Sequence, residues 1–143
     1  MEEDPYDVNK LQFGPIFGDR TKAEPLTLAA VRDLLQKQHH QLLAQEKEPL
    51  FQGAMNYVEK AALELKVDTA KELTAIIREK ERATSNRARD LHPFEVAQLV
   101  NLAPDDYDVA ISLIPSLLDF GDNNGKDLVV GIVDAIRDRL QIQ

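Results

Sequence analysis

The sequence predicts an all-α protein, a helical bundle with an extended N-terminal arm. From Leu26 onward, apolar residues recur at spacings of three, four and seven, the period of a helix with one buried face. Prolines and capping residues fall where helices should open and close. Residues 1–26 instead hold Pro5, Pro15, Pro25, Gly14 and Gly18, so no long helix can form there.

The 143 residues are 43% hydrophobic and carry a formal net charge of -8. That apolar fraction fits one small domain and excludes an ordinary disordered chain. The negative charge argues against a strongly basic nucleic-acid binder, because phosphate is repelled unless Lys and Arg gather on one face. Cysteine is absent, which removes disulfides, thiolate zinc sites and cysteine nucleophiles. No apolar run approaches the roughly 20 residues of a membrane span. Met1-Glu2-Glu3-Asp4 is acidic where a signal peptide would be basic and then apolar, so an intracellular location is expected.

In the arm, residues 1–26, the apolar positions are Val8, Leu11, Phe13, Ile16 and Phe17. Leu11-Gln12-Phe13 alternates like a short strand. A lone terminal strand has no sheet to join, so the arm is expected either to disorder or to lie against something else. Residues 27–83 read as the N-terminal helices. Thr27 is placed to cap the first, which carries Leu28, Val31, Leu34, Leu35, Leu42 and Leu43 and is expected to run to about Lys47. Pro49 sits where an N1 proline opens a second helix, with Phe51, Ala54, Met55, Val58, Ala61, Ala62 and Leu65 on one face. Asp68 is expected to cap a third, carrying Ala70, Leu73, Ile76 and Ile77.

Arg78 to Asp90 is polar, and Thr84-Ser85-Asn86 breaks the helix within it. Residues 84–90 read as a connector, and residues 91–143 as a C-terminal helical subdomain. There His92-Pro93-Phe94-Glu95 is a helix start, with Pro93 at N1 and the Glu95 carboxylate near the positive end of the dipole. Leu102-Ala103-Pro104 ends that helix. Asp105-Asp106 opens the next, which carries Val109, Leu113 and Ile114 until Pro115 stops it. After a loop at Gly121 to Gly125, a last helix carries Val129, Ile132, Val133, Ile136 and Leu140.

Few residues offer chemistry. His39 and His40 are adjacent, so on a helix they point about 100° apart and do not share a metal. They read as solvated residues, and His92 as part of a helix start. Gly125-Lys126 is followed by Asp127, and Phe120 stands where a phosphate loop needs its first glycine. An EF-hand register also puts Phe120 at the first carboxylate position. The loop therefore reads as a polar turn. Asp105, Asp106 and Asp108 suit the first turn of a helix. No catalytic residue, metal site, cofactor or small-molecule substrate is expected. Arg78, Lys80, Arg82, Arg87 and Arg89 are the one cationic stretch that could touch phosphate. Three acids dilute it and no aromatic side chain interleaves it, so a solvated connector is the favoured reading.

The most specific string is Leu91-His92-Pro93-Phe94-Glu95-Val96-Ala97-Gln98-Leu99-Val100-Asn101-Leu102, followed by Leu113-Ile114-Pro115-Ser116-Leu117. This series closely resembles the fourth subunit of eukaryotic RNA polymerase II, the small subunit of the polymerase stalk, which has an archaeal counterpart. Leu11-Gln12-Phe13-Gly14-Pro15 with Phe17, and Met55-Asn56-Tyr57-Val58, extend the resemblance more weakly upstream. It implies a non-catalytic stalk subunit with a C-terminal bundle like that of helicase-and-RNase-D C-terminal domains. The implied partner is the stalk subunit with an oligonucleotide-binding barrel, the polymerase II seventh subunit. Through it the protein would join the polymerase core near the RNA exit path, support transcription initiation, and meet nascent RNA mainly via the barrel. The implied location is the nucleus, with a share in the cytoplasm. The series favours polymerase II over the more divergent polymerase III counterpart.

With that partner in view, the arm is expected to find its sheet by β-augmentation. The expected docking residues are Val8, Leu11, Phe13, Ile16 and Phe17, helped by Leu28, Val31 and Leu35. Two other readings compete: a free-standing helical nucleic-acid-binding module, which should show a basic face, and an acidic protein–protein adaptor.

Overall fold

The structure is a computed structural model and describes residues 6–19, 21, 23–38, 48–61, 65–121 and 124–141. The chain folds as an all-α bundle with a two-strand hairpin in the arm. Strand β1 (Tyr6–Asp7) pairs antiparallel with β2 (Gln12–Phe13), Tyr6 opposite Phe13 and Asp7 opposite Gln12. A 3₁₀ turn at Val8–Lys10 joins them. The Asp7 carboxylate accepts the Asn9 N–H at 3.0 Å, and Leu11 takes a left-handed conformation at φ 58°. The expectation of a lone strand is therefore corrected: the arm supplies its own partner strand. It lies against the chain itself, with the Phe13 ring 5.1 Å from the His92 ring and 5.0 Å from that of Phe94. A single helical turn, α1 (Gly14–Phe17), follows.

Helix α2 (Leu28–Lys37) opens as expected, with Thr27 Oγ1 accepting the Ala30 N–H. The Asn101 side-chain oxygen accepts the Leu28 N–H at 2.8 Å and ties this start to the C-terminal half. The expected run to Lys47 is corrected: α2 closes at Lys37 with Gln38 as C-cap. Leu42, Leu43, His39 and His40 lie outside the described residues. Helix α3 (Glu48–Ala61) begins one residue before Pro49, and a proline still fits because no first-turn N–H has a helical acceptor. Among its described side chains Met55 and Val58 are buried and Ala54 is exposed; Ala62 and the side chains of Phe51 and Ala61 lie outside what the structure describes. Leu65 is buried beyond the helix, and its carbonyl accepts a hydrogen bond from Arg32.

Helix α4 (Val67–Ala83) is capped by Lys66, not Asp68. Val67 is already helical, so Asp68 sits inside the first turn, where it still meets the dipole's positive end. Helix α5 (Pro93–Leu102) ends with Ala103 left-handed at φ 41°. Helix α6 (Tyr107–Leu113) is capped by Asp106, whose carboxylate accepts the Val109 N–H at 2.9 Å. Its inward residues are Ala110 and, just beyond its end, Ile114. Val109 and Leu113 are exposed, although both were expected among its apolar positions. Pro115 stops α6 as expected, and the chain goes straight into a 3₁₀ turn, Pro115–Phe120.

Helix α7 (Asn124–Gln141) starts inside the expected loop. Gly125 makes this possible. A Cβ there would sit 1.6 Å from the Phe120 carbonyl oxygen, so only glycine lets the first turn approach the 3₁₀ turn so closely. We expect Gly125→Ala to force these apart and to cost about 1–3 kcal/mol of stability in denaturant unfolding. A change below about 0.5 kcal/mol would show that the turn gives way freely.

One core joins both halves. Leu73 and Ile77 of α4 pack with Leu99 and Val100 of α5, and with Ile132, Val133 and Ile136 of α7. Ala29, Leu91, Ile114, Leu117 and Phe120 also belong to it. Arg139 of α7 reaches Glu72 of α4 at 2.7 Å and holds that carboxyl below its ordinary pKa. The pair is exposed and adds little to stability.

Candidate interaction surface and the frame that carries it

The frame is set by two buried carboxylates at the α4–α5 junction. Glu95 is fully buried in the first turn of α5. Its carboxylate accepts two hydrogen bonds from the Arg89 guanidinium, at 2.6 and 3.0 Å. It also accepts from Ser116 Oγ at 2.8 Å and from the His92 backbone N–H at 2.9 Å. His92 Nδ1 in turn accepts the Phe94 N–H at 3.0 Å, so the helix start foreseen at His92-Pro93-Phe94-Glu95 is a reciprocal cap. Arg89 also donates to the Ser116 carbonyl at 3.1 Å and stacks over the Phe120 ring at 4.5 Å. Hydrogen bonding to Glu95 pushes the Arg89 guanidinium above its ordinary pKa.

Glu81, near the end of α4, is the second. It accepts from Arg78 at 3.1 Å and from the Leu91 N–H at 2.5 Å. Arg78 also donates to the Leu91 carbonyl at 3.0 Å. Arg87 donates to the Thr84 and Glu81 carbonyls at 2.9 and 3.1 Å and pairs with Asp90 at 2.8 Å. No buried side-chain nitrogen or oxygen among the described residues lacks a partner.

Of the five cations in the stretch, Arg78, Arg87 and Arg89 are thus engaged within the chain, while Lys80 and Arg82 are exposed. The stretch is in part helix and in part an ion-paired seam, rather than a purely solvated connector. Glu95, Glu81 and Ser116 were missed from sequence as structural centres. For Glu95 and Ser116 the one signal was a charged or polar residue inside an otherwise apolar run; Glu81 stands among charged residues and gave none.

The arm divides its apolar residues. Val8, Ile16 and Phe17 are 51%, 60% and 68% exposed. Leu11 and Phe13 are half-buried, Phe13 by its contacts with His92 and Phe94. On α2, Leu28, Val31 and Leu35 are half-buried and Leu34 is exposed. Between the arm, α2, α4 and α5 runs a cleft of about 440 Å³, lined by Leu26, Ala30, Ala70, Val96 and Ala97. A smaller cleft of about 130 Å³ lies between Phe13, Phe17, Pro25 and Phe94. No group of residues suited to hold a metal ion occurs among the described residues, and no described helix is long and apolar enough to cross a membrane.

Buried ion pairs hold an all-α frame, and Val8, Ile16 and Phe17 of the arm stay exposed on it. Residues 18–137 match the family RNA polymerase Rpb4. The chain belongs to that family and is a non-catalytic RNA polymerase subunit. The matched stretch takes in α2 to α6 and most of α7, including the whole Arg89–Glu95–Ser116 network, and begins just after α1. No curated protein sequence matches the chain closely.

Proposed function

We propose that the chain is the small stalk subunit of nuclear RNA polymerase II. In this reading it pairs with the subunit that carries an oligonucleotide-binding barrel, beside the RNA exit path, and joins the core enzyme through it. It supports initiation and the handling of nascent RNA there. Residues 1–26 serve as the docking segment, residues 27–83 and 91–143 as the two helical parts, and residues 84–90 as the seam between them. The observation that carries the reading is the exposure of Val8, Ile16 and Phe17 on an arm that Phe13 fastens to the bundle. An aromatic ring left in water gains by burial against a partner. Leu11, Leu28, Val31 and Leu35 border the same face in this proposal, and Phe13 positions the arm. RNA contact belongs mainly to the partner's barrel. A direct contribution from this chain falls to Lys80 and Arg82, since Arg78, Arg87 and Arg89 are committed to carboxylates.

The test is the affinity of the co-purified heterodimer. Phe17→Ser should cost on the order of 2 kcal/mol, about 30-fold in Kd, and Ile16→Ser a similar factor. Both side chains are exposed, so the isolated subunit should unfold within about 0.5 kcal/mol of the wild type. Unchanged affinity in the double variant would remove the arm as the contact. A chain that recovers neither the barrel subunit nor polymerase from nuclear extract would be an adaptor with another target.

A further inference from the structure

The seam between α4 and α5 contains an exposed hydroxyl. Helix α4 ends at Ala83, and the chain turns through Thr84, Ser85 and Asn86. Thr84 Oγ1 is occupied, donating to the Lys80 carbonyl at 3.0 Å. Ser85 is exposed, and among the described residues its hydroxyl has no partner. Two exposed cations precede it, Arg82 by three residues and Lys80 by five, and Arg87 follows by two; of the acids between them, Glu81 is buried and paired with Arg78, which leaves Glu79 exposed. The Arg87 guanidinium already lies at the neighbouring carbonyl, 2.9 Å from the Thr84 oxygen.

We propose that Ser85 is a phosphorylation site for a serine/threonine kinase whose acidic subsites select basic residues upstream, and that its phosphate takes Arg87 from the end of α4. Kinases choose substrates by such charge patterns. Only Arg82 and Ala83 need leave the helix to present the serine, and helix ends fray easily. In the step, Ser85 Oγ attacks the γ-phosphorus of a magnesium nucleoside triphosphate. The Oγ–P bond forms, the bond from that phosphorus to the bridging oxygen breaks, and nucleoside diphosphate leaves. The hydroxyl proton passes to the kinase's catalytic carboxylate.

The product puts between one and two negative charges at the C-terminal, negative end of α4. Alone that is unfavourable. Arg87 relieves it, because a guanidinium binds phosphate through two parallel hydrogen bonds. Arg87 then leaves the Glu81 and Thr84 carbonyls and Asp90. The seam that delivers Arg89 to Glu95 loosens as a result, while the shared core still joins the two halves.

The experiment treats the full chain with magnesium ATP and the catalytic subunit of the cyclic-AMP-dependent protein kinase, a kinase with acidic substrate subsites. The site is then mapped by mass spectrometry. One phosphate on Ser85 is expected. Ser85→Ala should abolish it, and Arg82→Gln should slow it about tenfold, the loss of one charge-assisted contact. Phosphate on Thr84 or elsewhere, or none on the folded chain, overturns the site. Hydrogen exchange at the Leu91 and His92 amides should quicken in the phosphorylated protein. Exchange identical to that of the unmodified chain overturns the coupling to Arg87.

Discussion

Arg89→Ala is expected to destabilise the protein by about 3–5 kcal/mol, roughly 10 °C or more in Tm, although the residue it removes is partly exposed. The cost lies with the partner. Glu95 has no access to water, and without Arg89 its charge is answered only by the Ser116 hydroxyl and one backbone N–H. The guanidinium also bridges to the Ser116 carbonyl and covers the Phe120 ring, so three segments lose their common tie. The double variant Arg89→Ala/Glu95→Gln separates the causes. If an unanswered buried charge is the main penalty, neutralising Glu95 restores a large part of the loss, because removing both charges is cheaper than removing one. Urea unfolding of the wild type, the single and the double variants measures this. An Arg89→Ala variant within about 0.5 kcal/mol of wild type would show that water reaches Glu95 and that the network is incidental.

Ile132→Ala should cost about 2–5 kcal/mol, with Ile132→Val nearer 1. Ile132 has no exposed surface and lies in the middle of α7, on the face that packs along α4. Both helices are fixed elsewhere: α7 by Gly125 against the 3₁₀ turn, α4 by the Glu81 contacts with Leu91. They cannot close on the gap, so the cavity term is added to the lost transfer energy. The same truncation at exposed Leu113 should change stability by less than about 1 kcal/mol. Equal losses at both sites would mean that the exposed side of α6 is stabilised as much as the core. Thermal melts of the three variants decide between these outcomes.

The helices were legible because each signal is local. Thr27, His92 and Asp106 accept from N–H groups within three residues of themselves, and Pro115 constrains the residue before it. Capping signals failed only by a register. Asp68 read as a cap because its side chain suits one, yet any acid in the first turn gains nearly the same interaction with the dipole. The α6 face was misread for a related reason. Val109 and Leu113 share one side and Ala110 and Ile114 another, and hydropathy alone does not say which side the rest of the chain will cover.

The candidate site was legible in part. The apolar arm residues were visible as a group, but their division into Phe13, which holds the arm, and Ile16 and Phe17, which stay exposed, required knowing that Phe94 and His92 stand beside it. The cationic stretch looked uniform in sequence. Whether an arginine is solvated or bound depends on where a carboxylate arrives from, and for Arg89, between two helices, it arrives from the first turn of α5.

Periodicity, capping and neighbouring residues are enough to give the all-α class, most helix starts and stops, and the family series from Leu91 to Leu117. Tertiary structure alone decided that Glu81 and Glu95 are buried, that the arm folds back on α5, and that Gly125 must lack a side chain. The physical reason is range. Backbone hydrogen bonds in a helix are settled within four residues, whereas burial, ion pairing and close approach depend on groups up to tens of positions away, as Ser116 is from Glu95 and Asn101 is from Leu28.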